Sequence, residues 1–317
     1  MTLILSEKDV QDHIGMKDVV PAVEECFRQQ AGVRAVNSPR TRSVAQGAVL
    51  NVMHASLPYL GRAGVKSYLS SRKGVRFLFI LFSLDDGQPL AVMGADILGR
   101  YRTGAASAVA TKFLFGSKRF RLAVFGSGKQ ALTQVLAMAE VASLEAVRVW
   151  SPTREHRESF ARDLGRLGFR ATSADAVEGA ASSSDVATAI TTSGGPFLTR
   201  KVVRDLAHVN LCGSNTSGRA EAAPDAVSWF KTVAVDDLAQ SRVEAGDLIL
   251  AEQSGLLTWD RVVELKDIVA GGVRQERPTL FKSNGVAIED VAVASLIYDK
   301  AVKAGLGPDH KFEFGSV

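Results

Sequence analysis

The chain has 317 residues, more than the about 100–150 of a typical domain, which predicts two domains. Lys and Arg number 38 against 34 Asp and Glu, and this net charge of +4 without a basic run argues against nucleic-acid binding. With 46% hydrophobic residues the chain can bury a sizeable core. Cys26 and Cys212 are far apart and lack metal-ligand spacing, so we expect neither a disulfide nor a metal site.

The N-terminal segment gives no sign of export or membrane insertion. Its first ten residues, MTLILSEKDV, have no basic region and carry acidic residues early, unlike a signal peptide. The most apolar run, residues 77–82, is much shorter than the about 20 residues of a membrane-spanning helix and predicts a buried strand. We therefore expect a cytoplasmic protein with no membrane partner.

The first part of the chain changes from helical to β character. Ser6 and the acidic residues after it are typical of a helix N-cap, and a second helix is predicted to end near Gly32. From about residue 37 to 93, short apolar runs alternate with turn residues, and residues 85–88 are a good hairpin turn. This region is predicted to be α+β, with antiparallel strands.

From residue 103 an Ala-rich helix leads into a regular alternation of strands and helices. The predicted strands are 121–125, 146–150, 169–171, 185–191, 208–211 and 232–235, and the predicted helices are 129–141, 154–167, 173–181 and 289–304. Such alternation is typical of a parallel sheet with helices on both faces. The middle of the chain is therefore predicted to be an α/β domain of the Rossmann type.

The loop after the first of these strands matches the pattern GxGxxA of dinucleotide-binding proteins. Gly126 permits the tight turn, Gly128 lets the backbone approach a pyrophosphate, and Ala131 allows the helix to pack closely. The cofactor-binding residues predicted in this loop are Gly126, Ser127, Gly128, Lys129 and Gln130. The free N–H groups at the helix start would receive the phosphates.

The end of the second predicted strand indicates which dinucleotide binds. An acidic residue is usual there when the 2′-hydroxyl of NAD is bound, but this chain has Ser151, Thr153 and Arg154. Two hydroxyls and a guanidinium can bind a 2′-phosphate, which a carboxylate would repel. These residues favour NADP(H), with NAD(H) possible. The alternative is that they are only a solvated helix start.

Several segments together resemble the ornithine cyclodeaminase/μ-crystallin family along nearly the whole chain. They include RTGAAS at 102–107 and GSGKQA at 126–131, with further matching segments at 39–41, 64–66, 213–221, 236–247, 281–285 and 287–290. The resemblance implies a substrate-binding and dimerisation domain, built from residues 1–110 and the C-terminal helix in 285–317. Residues 111–284 would form the NAD(P)-binding Rossmann domain. It also implies a homodimer formed through the antiparallel strands.

The resemblance assigns roles to residues outside the phosphate loop. Arg40, Lys66 and Arg102 match the family's clamp for a substrate carboxylate, which suits cationic donors. Lys66 and Asp247 are the predicted catalytic residues, and Asp247 would face the substrate nitrogen. The remaining predicted contacts are Ser283 and Gly285 with the substrate, and Thr191, Gly213 and Ser214 with the cofactor.

The chain departs from the cyclodeaminases of this family at Asn51, where they carry a catalytic glutamate. Asparagine cannot accept a proton as a general base, so the predicted role of Asn51 is substrate contact. His54 is a possible substitute base, although it is more simply a polar neighbour of the pocket.

The favoured function is therefore an NADPH-dependent reductase of a small α-imino acid, such as the cyclic ketimine 1-pyrroline-2-carboxylate. The alternatives are an alanine-type amino-acid dehydrogenase, an ornithine cyclodeaminase, which Asn51 disfavours, and a non-catalytic NADPH-dependent ligand-binding protein.

Overall fold

A computed structural model describes residues 2–32, 34–306 and 309–310 of the chain. They form two compact units: unit 1 holds the described residues up to 102 and from 286 onwards, and unit 2 holds residues 103–285. The sequence places the first boundary at residue 110, eight residues further along the same helix. In the described part of the chain, no helix is both long and apolar enough to span a bilayer.

The helices of the structure have the following bounds: α1 Glu7–His13, α2 Met16–Ala31, α3 Asp96–Leu114, α4 Ala131–Val141, α5 Arg154–Arg166, α6 Val177–Ala181, α7 Arg200–Val203, α8 Pro224–Val227, α9 Leu238–Glu244, α10 Gly246–Gln253, α11 Leu265–Val269 and α12 Ala287–Lys303. Two short 3-10 turns, Pro58–Leu60 and Trp259–Arg261, lie between these elements.

The strands of unit 1 are β1 Thr2–Leu5, β2 Val36–Ala45, β3 Ala48–Leu57, β4 Arg62–Ser71, β5 Gly74–Ser83, β6 Pro89–Gly94 and β15 Asp309–His310. The strands of unit 2 are β7 Arg119–Phe125, β8 Ser143–Trp150, β9 Ala171–Ser173, β10 Val186–Ala189, β11 His208–Leu211, β12 Thr232–Val235, β13 Val262–Glu264 and β14 Thr279–Lys282.

Unit 1 is a seven-stranded sheet in the order β15-β1-β6-β5-β4-β3-β2. Strands β2 to β6 are antiparallel neighbours, as predicted, whereas β1 adds parallel to β6. Helices α2 and α12 pack together, and α12 packs on β3 and β4. One face of the sheet therefore carries the core of this unit, with Met53, Phe79 and Leu81 buried on it.

The opposite face of the same sheet is apolar but only partly covered. Val65 on β4 pairs with Ile80 on β5, both are half-buried, and Leu50 and Leu78 on the same face are exposed. An apolar sheet face left open in this way is unusual for a monomer and is typical of an interface. It is the surface that the predicted dimer would use, and the dimer itself stays a prediction.

Unit 2 is an eight-stranded parallel sheet in the order β13-β12-β14-β11-β10-β7-β8-β9, which confirms the predicted Rossmann-type α/β fold. Its central strands are buried along their whole length because helices cover the sheet. The carboxyl ends of β7, β8, β10 and β11 lie along one edge of this sheet, the edge at which such folds bind ligands.

Most of the predicted helices and strands are present in the structure, but one strand was missed and several elements begin or end at other residues than predicted. The predicted strands 208–211 and 232–235 match β11 and β12, but β14, which lies between them, was not predicted. The Ala-rich helix begins at Asp96, seven residues before the predicted start, because β6 ends at Gly94. The third strand of unit 2 is two residues later than predicted, and the predicted helix 173–181 is only one turn long as α6.

Candidate active site

The phosphate loop of unit 2 has the geometry that the sequence predicts. Gly126 follows β7 with a φ of 111°, and its N–H donates to the carbonyl of Trp150 at 2.8 Å. A Cβ at this position would overlap the carbonyl oxygen of Ile190, so only glycine fits. Helix α4 begins directly after the loop without a side-chain cap, and the N–H of its first residue, Ala131, donates to the Gly128 carbonyl at 3.0 Å. The N–H groups that follow in the first turn are the ones that would receive phosphate. The residues present therefore fit a dinucleotide.

A cleft of about 320 Å³ lies against this loop, at the carboxyl ends of β7, β8 and β10. Trp150 and Phe197 stack along one wall, with ring centroids 5.5 Å apart. The predicted cofactor residues that line this cleft are Gly126, Ser127, Gly128, Ser151, Thr153 and Thr191. None of its lining residues in the described chain is acidic, and the lining includes residues that the sequence did not single out, among them His156 and Phe197.

The predicted residues at the end of β8 divide into two groups. Ser151 is buried, and its hydroxyl accepts a hydrogen bond from Ser127 at 2.9 Å. The Arg154 side chain is 71% exposed and pairs with Glu158 at 2.6 Å instead of lining the cleft. Arg157 stabilises the end of β8, because its Nη1 donates to the Ser151 carbonyl at 3.1 Å. Lys129 and Gln130 are exposed at the start of α4.

Unit 1 gathers the three predicted clamp cations in its interior. Lys66 on β4 donates from Nζ to Asp290 Oδ1 at 2.7 Å, and Arg102 Nε donates to the same oxygen at 3.1 Å. Arg102 Nη1 also donates to Glu289 Oε2 at 2.9 Å. Arg40 is buried as well, on β2. The carboxylates at the start of α12 thus order Lys66 and Arg102, which together with the buried Arg40 we call the buried cationic cluster.

The electrostatic surroundings make Lys66 a weaker base than an ordinary lysine. Burial, and next the positive charge of Arg102, lower the pKa of Lys66 to about 8, against attraction by Asp290 and with a smaller contribution from Arg40. Arg40 and Arg102 therefore lie close enough to Lys66 for their charges to be felt. A lysine with this pKa holds a proton at neutral pH and releases it more readily than usual.

Asn51 lies buried on β3, and its amide is engaged by its neighbours. Its Oδ1 accepts a hydrogen bond from Arg42 Nε at 3.1 Å, and its Nδ2 donates to the Val49 carbonyl at 3.2 Å. His54, three residues further along the same strand, is exposed. The structure gives neither residue the surroundings of an activated base. Whether Asn51 contacts a substrate stays a prediction.

The remaining predicted site residues lie at the carboxyl edge of the sheet in unit 2. Gly213 and Ser214 begin the segment that follows β11. Asp247 is buried, and it accepts hydrogen bonds from backbone N–H groups further along this segment, at residues 221 and 222. Ser283 and Gly285 follow β14, and Asp236 accepts hydrogen bonds from both. The predicted contacts of these residues with cofactor and substrate stay predictions.

Several charged residues of these sites were not predicted. Glu289 and Asp290 stand in a segment that carries the family resemblance, but no role was assigned to them. Glu221 and Lys282 are fully buried next to Asp247. The sequence did contain a sign that these residues are functional. Lys282 ends an apolar strand and the acidic pair begins an otherwise apolar helix, and charged residues are unusual at such buried positions.

A dinucleotide cleft at the carboxyl edge of a parallel sheet, with a second unit that holds buried cations, defines the class of NAD(P)-dependent oxidoreductases. The family model described as "Ornithine cyclodeaminase/mu-crystallin family" matches residues 1–305. The chain therefore belongs to this family, as the sequence motifs predicted.

The proteins similar to this chain include enzymes that catalyse different reactions. It is 32% identical to the alanine dehydrogenase of Archaeoglobus fulgidus over 324 residues, covering 98% of each chain. It is 31% identical to the iminosuccinate reductase of Paracoccus denitrificans, with 97% of this chain and 99% of the relative covered. The structure of Thermococcus litoralis Δ1-pyrroline-2-carboxylate reductase with NADH and L-proline superposes with a TM-score of 0.90, at 29% identity, covering 97% of this chain and 100% of the other.

Proposed function

We propose that this protein is an NADPH-dependent reductase of a small α-imino acid, with a cyclic ketimine such as 1-pyrroline-2-carboxylate as the favoured substrate. The observation that carries the proposal is the buried cationic cluster of unit 1, combined with an asparagine in place of a base at residue 51. The similar reductases of Δ1-pyrroline-2-carboxylate and iminosuccinate support the class of substrate.

The substrate carboxylate would bind to the cationic cluster. Glu289 and Asp290 pair with Lys66 and Arg102, so the carboxylate would join a network of ion pairs that is already ordered. Arginine is suited to this task because its planar fork can meet both carboxylate oxygens. Because Glu289 and Asp290 already fix the Arg102 guanidinium, little side-chain freedom would be lost on binding.

Reduction of an imine to an amine requires one hydride and one proton. A nicotinamide dinucleotide held by the phosphate loop of unit 2 would supply the hydride. Lys66 would hold the proton at Nζ and pass it to the imine nitrogen, for which a pKa of about 8 is well placed. Asp290 keeps the ammonium group oriented through the bond at 2.7 Å.

Asn51 argues for imine reduction over cyclodeamination. A cyclodeaminase receives a protonated amine and needs a base before hydride removal, whereas a reductase receives an electrophilic imine. The Asn51 amide cannot accept that proton, and its oxygen already accepts a hydrogen bond from Arg42. An imine substrate removes the need for the missing base.

The cofactor proposed is NADP(H) rather than NAD(H). The cleft at the end of β8 offers Ser151, Thr153 and His156 to a 2′-phosphate and no acidic group. The Arg154 guanidinium pairs with Glu158 at the surface, and such pairs are weak, so a phosphate can compete for it.

The protein is further proposed to act as a homodimer. The open apolar face of the unit 1 sheet, around Val65 and Ile80, would be covered by the same face of a second copy.

A substrate panel followed by NADPH absorbance tests the function. It comprises 1-pyrroline-2-carboxylate, iminosuccinate, pyruvate with and without ammonia, and ornithine with NAD⁺. Turnover of an imine without added ammonia is the expected result, and Arg102→Gln should abolish it while Arg100→Gln, two residues away on the same helix, should not. Activity only with pyruvate plus ammonia would make the protein an alanine-type dehydrogenase. Cofactor binding without any turnover would make it a ligand-binding protein.

A further inference from the structure

Three charged side chains lie at the carboxyl edge of the unit 2 sheet with no exposure to solvent. Glu221, Asp247 and Lys282 are each 0% exposed, and we refer to them as the buried triad. Lys282 Nζ lies 2.8 Å from Asp247 Oδ2 and donates to the Ser214 carbonyl at 2.6 Å. Burying charges is costly even when they are paired, so this arrangement is weak as a source of stability. Its geometry indicates a different use.

Glu221 connects the ends of two neighbouring strands. Its Oε1 accepts from the N–H and the hydroxyl of Thr191, which follows β10, at 2.8 and 2.7 Å. Its Oε2 accepts from the N–H of Gly213, which follows β11, at 2.8 Å. Burial, and to a smaller extent the charge of Asp247, raise the pKa of Glu221, while the charge of Lys282 and these donors oppose that rise. The three donors hold this carboxyl group in place and so join the ends of the two strands.

Asp247 fixes the next part of the same segment. Its Oδ1 accepts from the backbone N–H groups of Glu221 and Ala222, at 2.6 and 2.8 Å, and its Oδ2 faces Lys282. A Cβ at the preceding Gly246 would overlap the carbonyl oxygen of Arg219, so helix α10 approaches the segment as closely as a backbone can. Oδ1 of Asp247 is therefore occupied by backbone groups of unit 2, and Oδ2 is held against the charge of Lys282 at ion-pair distance.

Lys282 supplies the positive charge between the two carboxylates. Burial alone would lower the pKa of Lys282, but the attraction of Asp247 and Glu221 outweighs burial and raises it. Its bond to the Ser214 carbonyl ties the end of β14 to the start of the loop after β11. Thr191 lines the dinucleotide cleft, so the triad holds the backbone that borders the cofactor.

We infer that the buried triad positions the cofactor-side loops 191–193 and 213–222, and that Asp247 is a positioning residue rather than the group that exchanges a proton with the substrate. The inference rests on the proposed reductase only for its turnover measurements. Its main readout is cofactor affinity, which is independent of the substrate's identity. Lys282 and Asp247 should therefore be coupled: removing one charge leaves the other buried and unpaired, and removing both should relieve part of the damage.

The test is a double-mutant cycle of Asp247→Asn and Lys282→Met, with NADPH affinity measured by fluorescence titration. Each single variant should bind NADPH at least about tenfold more weakly, and the double variant should regain affinity over Lys282→Met by about tenfold, within the range usual for contacting charges. Glu252→Gln, on the exposed side of α10, is the matched control and should bind like the parent. Glu221→Gln keeps the shape of the triad and should weaken NADPH as well.

Turnover and hydrogen exchange separate positioning from proton transfer. At saturating NADPH and imine, Asp247→Asn should keep measurable kcat and the pH profile of the parent, and the amide of Ala222 should exchange faster. If a single variant does not fold, a folded double variant supports the coupling. The inference is overturned if NADPH affinity is unchanged in all variants, or if Asp247→Asn and the double variant are equally inactive with parent-like affinity. Inactivity of the parent with every imine, with the affinity cycle as predicted, would contradict the proposed function alone.

Discussion

The pKa of Lys66 makes a quantitative prediction about substrate binding. Its difference from the usual 10.5 corresponds to about 3 kcal/mol against the charged lysine, a cost set by burial and by Arg102. Since the group is charged below its pKa, about 90% of the free protein carries the charge at pH 7 and about 10% at pH 9. If the carboxylate binds only the charged form, its Kd should rise tenfold per pH unit above about 8.

The assay is titration of the NADPH-bound protein with pyrrole-2-carboxylate, an unreactive ring carboxylate that stays ionised throughout this pH range. Lys66→Arg should remove the loss of affinity above pH 8, because a guanidinium keeps its charge there. Lys66→Met should bind weakly at every pH, which keeps the test valid if arginine does not fit the buried position. Lys73→Arg, at the exposed turn between β4 and β5, is the matched control. A parent Kd that is flat from pH 7 to 9.5 would refute the role of Lys66 in binding the carboxylate.

Three further predictions test the cofactor, the missing base and the dimer. Ser151→Asp should weaken NADPH by roughly ten- to a hundredfold in fluorescence titration while NADH is largely retained, since a carboxylate repels a 2′-phosphate; equal losses for both would contradict this. The unmodified protein should release negligible ammonia from ornithine with NAD⁺. A positioned base typically accelerates such a step about 10²–10⁴-fold, and Asn51 cannot act as a base. Ile80→Glu should dissociate a dimer in sedimentation, whereas Val44→Glu, at an already exposed position, should not; a monomeric parent would sink the proposal.

The predictable part of the fold is the part encoded by local periodicity. Strands β11 and β12 were predicted to the residue because each is a short apolar run between turn residues. Strand β14 is as short as these two, but it ends in lysine and enters the sheet between them from far along the chain. Its position depends on tertiary pairing, which a local pattern does not contain. The early start of α3 has the same origin, since residues 96–102 have no distinctive pattern of their own.

The candidate site divides in a similar way. The phosphate loop and the clamp cations stand in recognisable motifs, and the structure brings Lys66 and Arg102 to one carboxylate, Asp290. The partners of these cations could not be predicted, because Asp290 lies 224 residues from Lys66 and meets it only in the folded unit. His156 was missed for a simpler reason: one turn of helix α5 brings it back to the cleft, which spacing alone does not distinguish from solvent exposure.

The acidic pair at the start of α12 also affects how a substrate would reach the clamp. Glu289 and Asp290 cancel most of the positive charge of the buried cluster at contact distance, so little field extends from it into solution. Association should therefore depend only weakly on ionic strength, unlike that of sites that steer ligands by an open patch of one sign. The clamp would select carboxylates only after the substrate has entered the site, through hydrogen bonds that are shielded from water. Substrate binding should then change little over a wide range of salt concentrations.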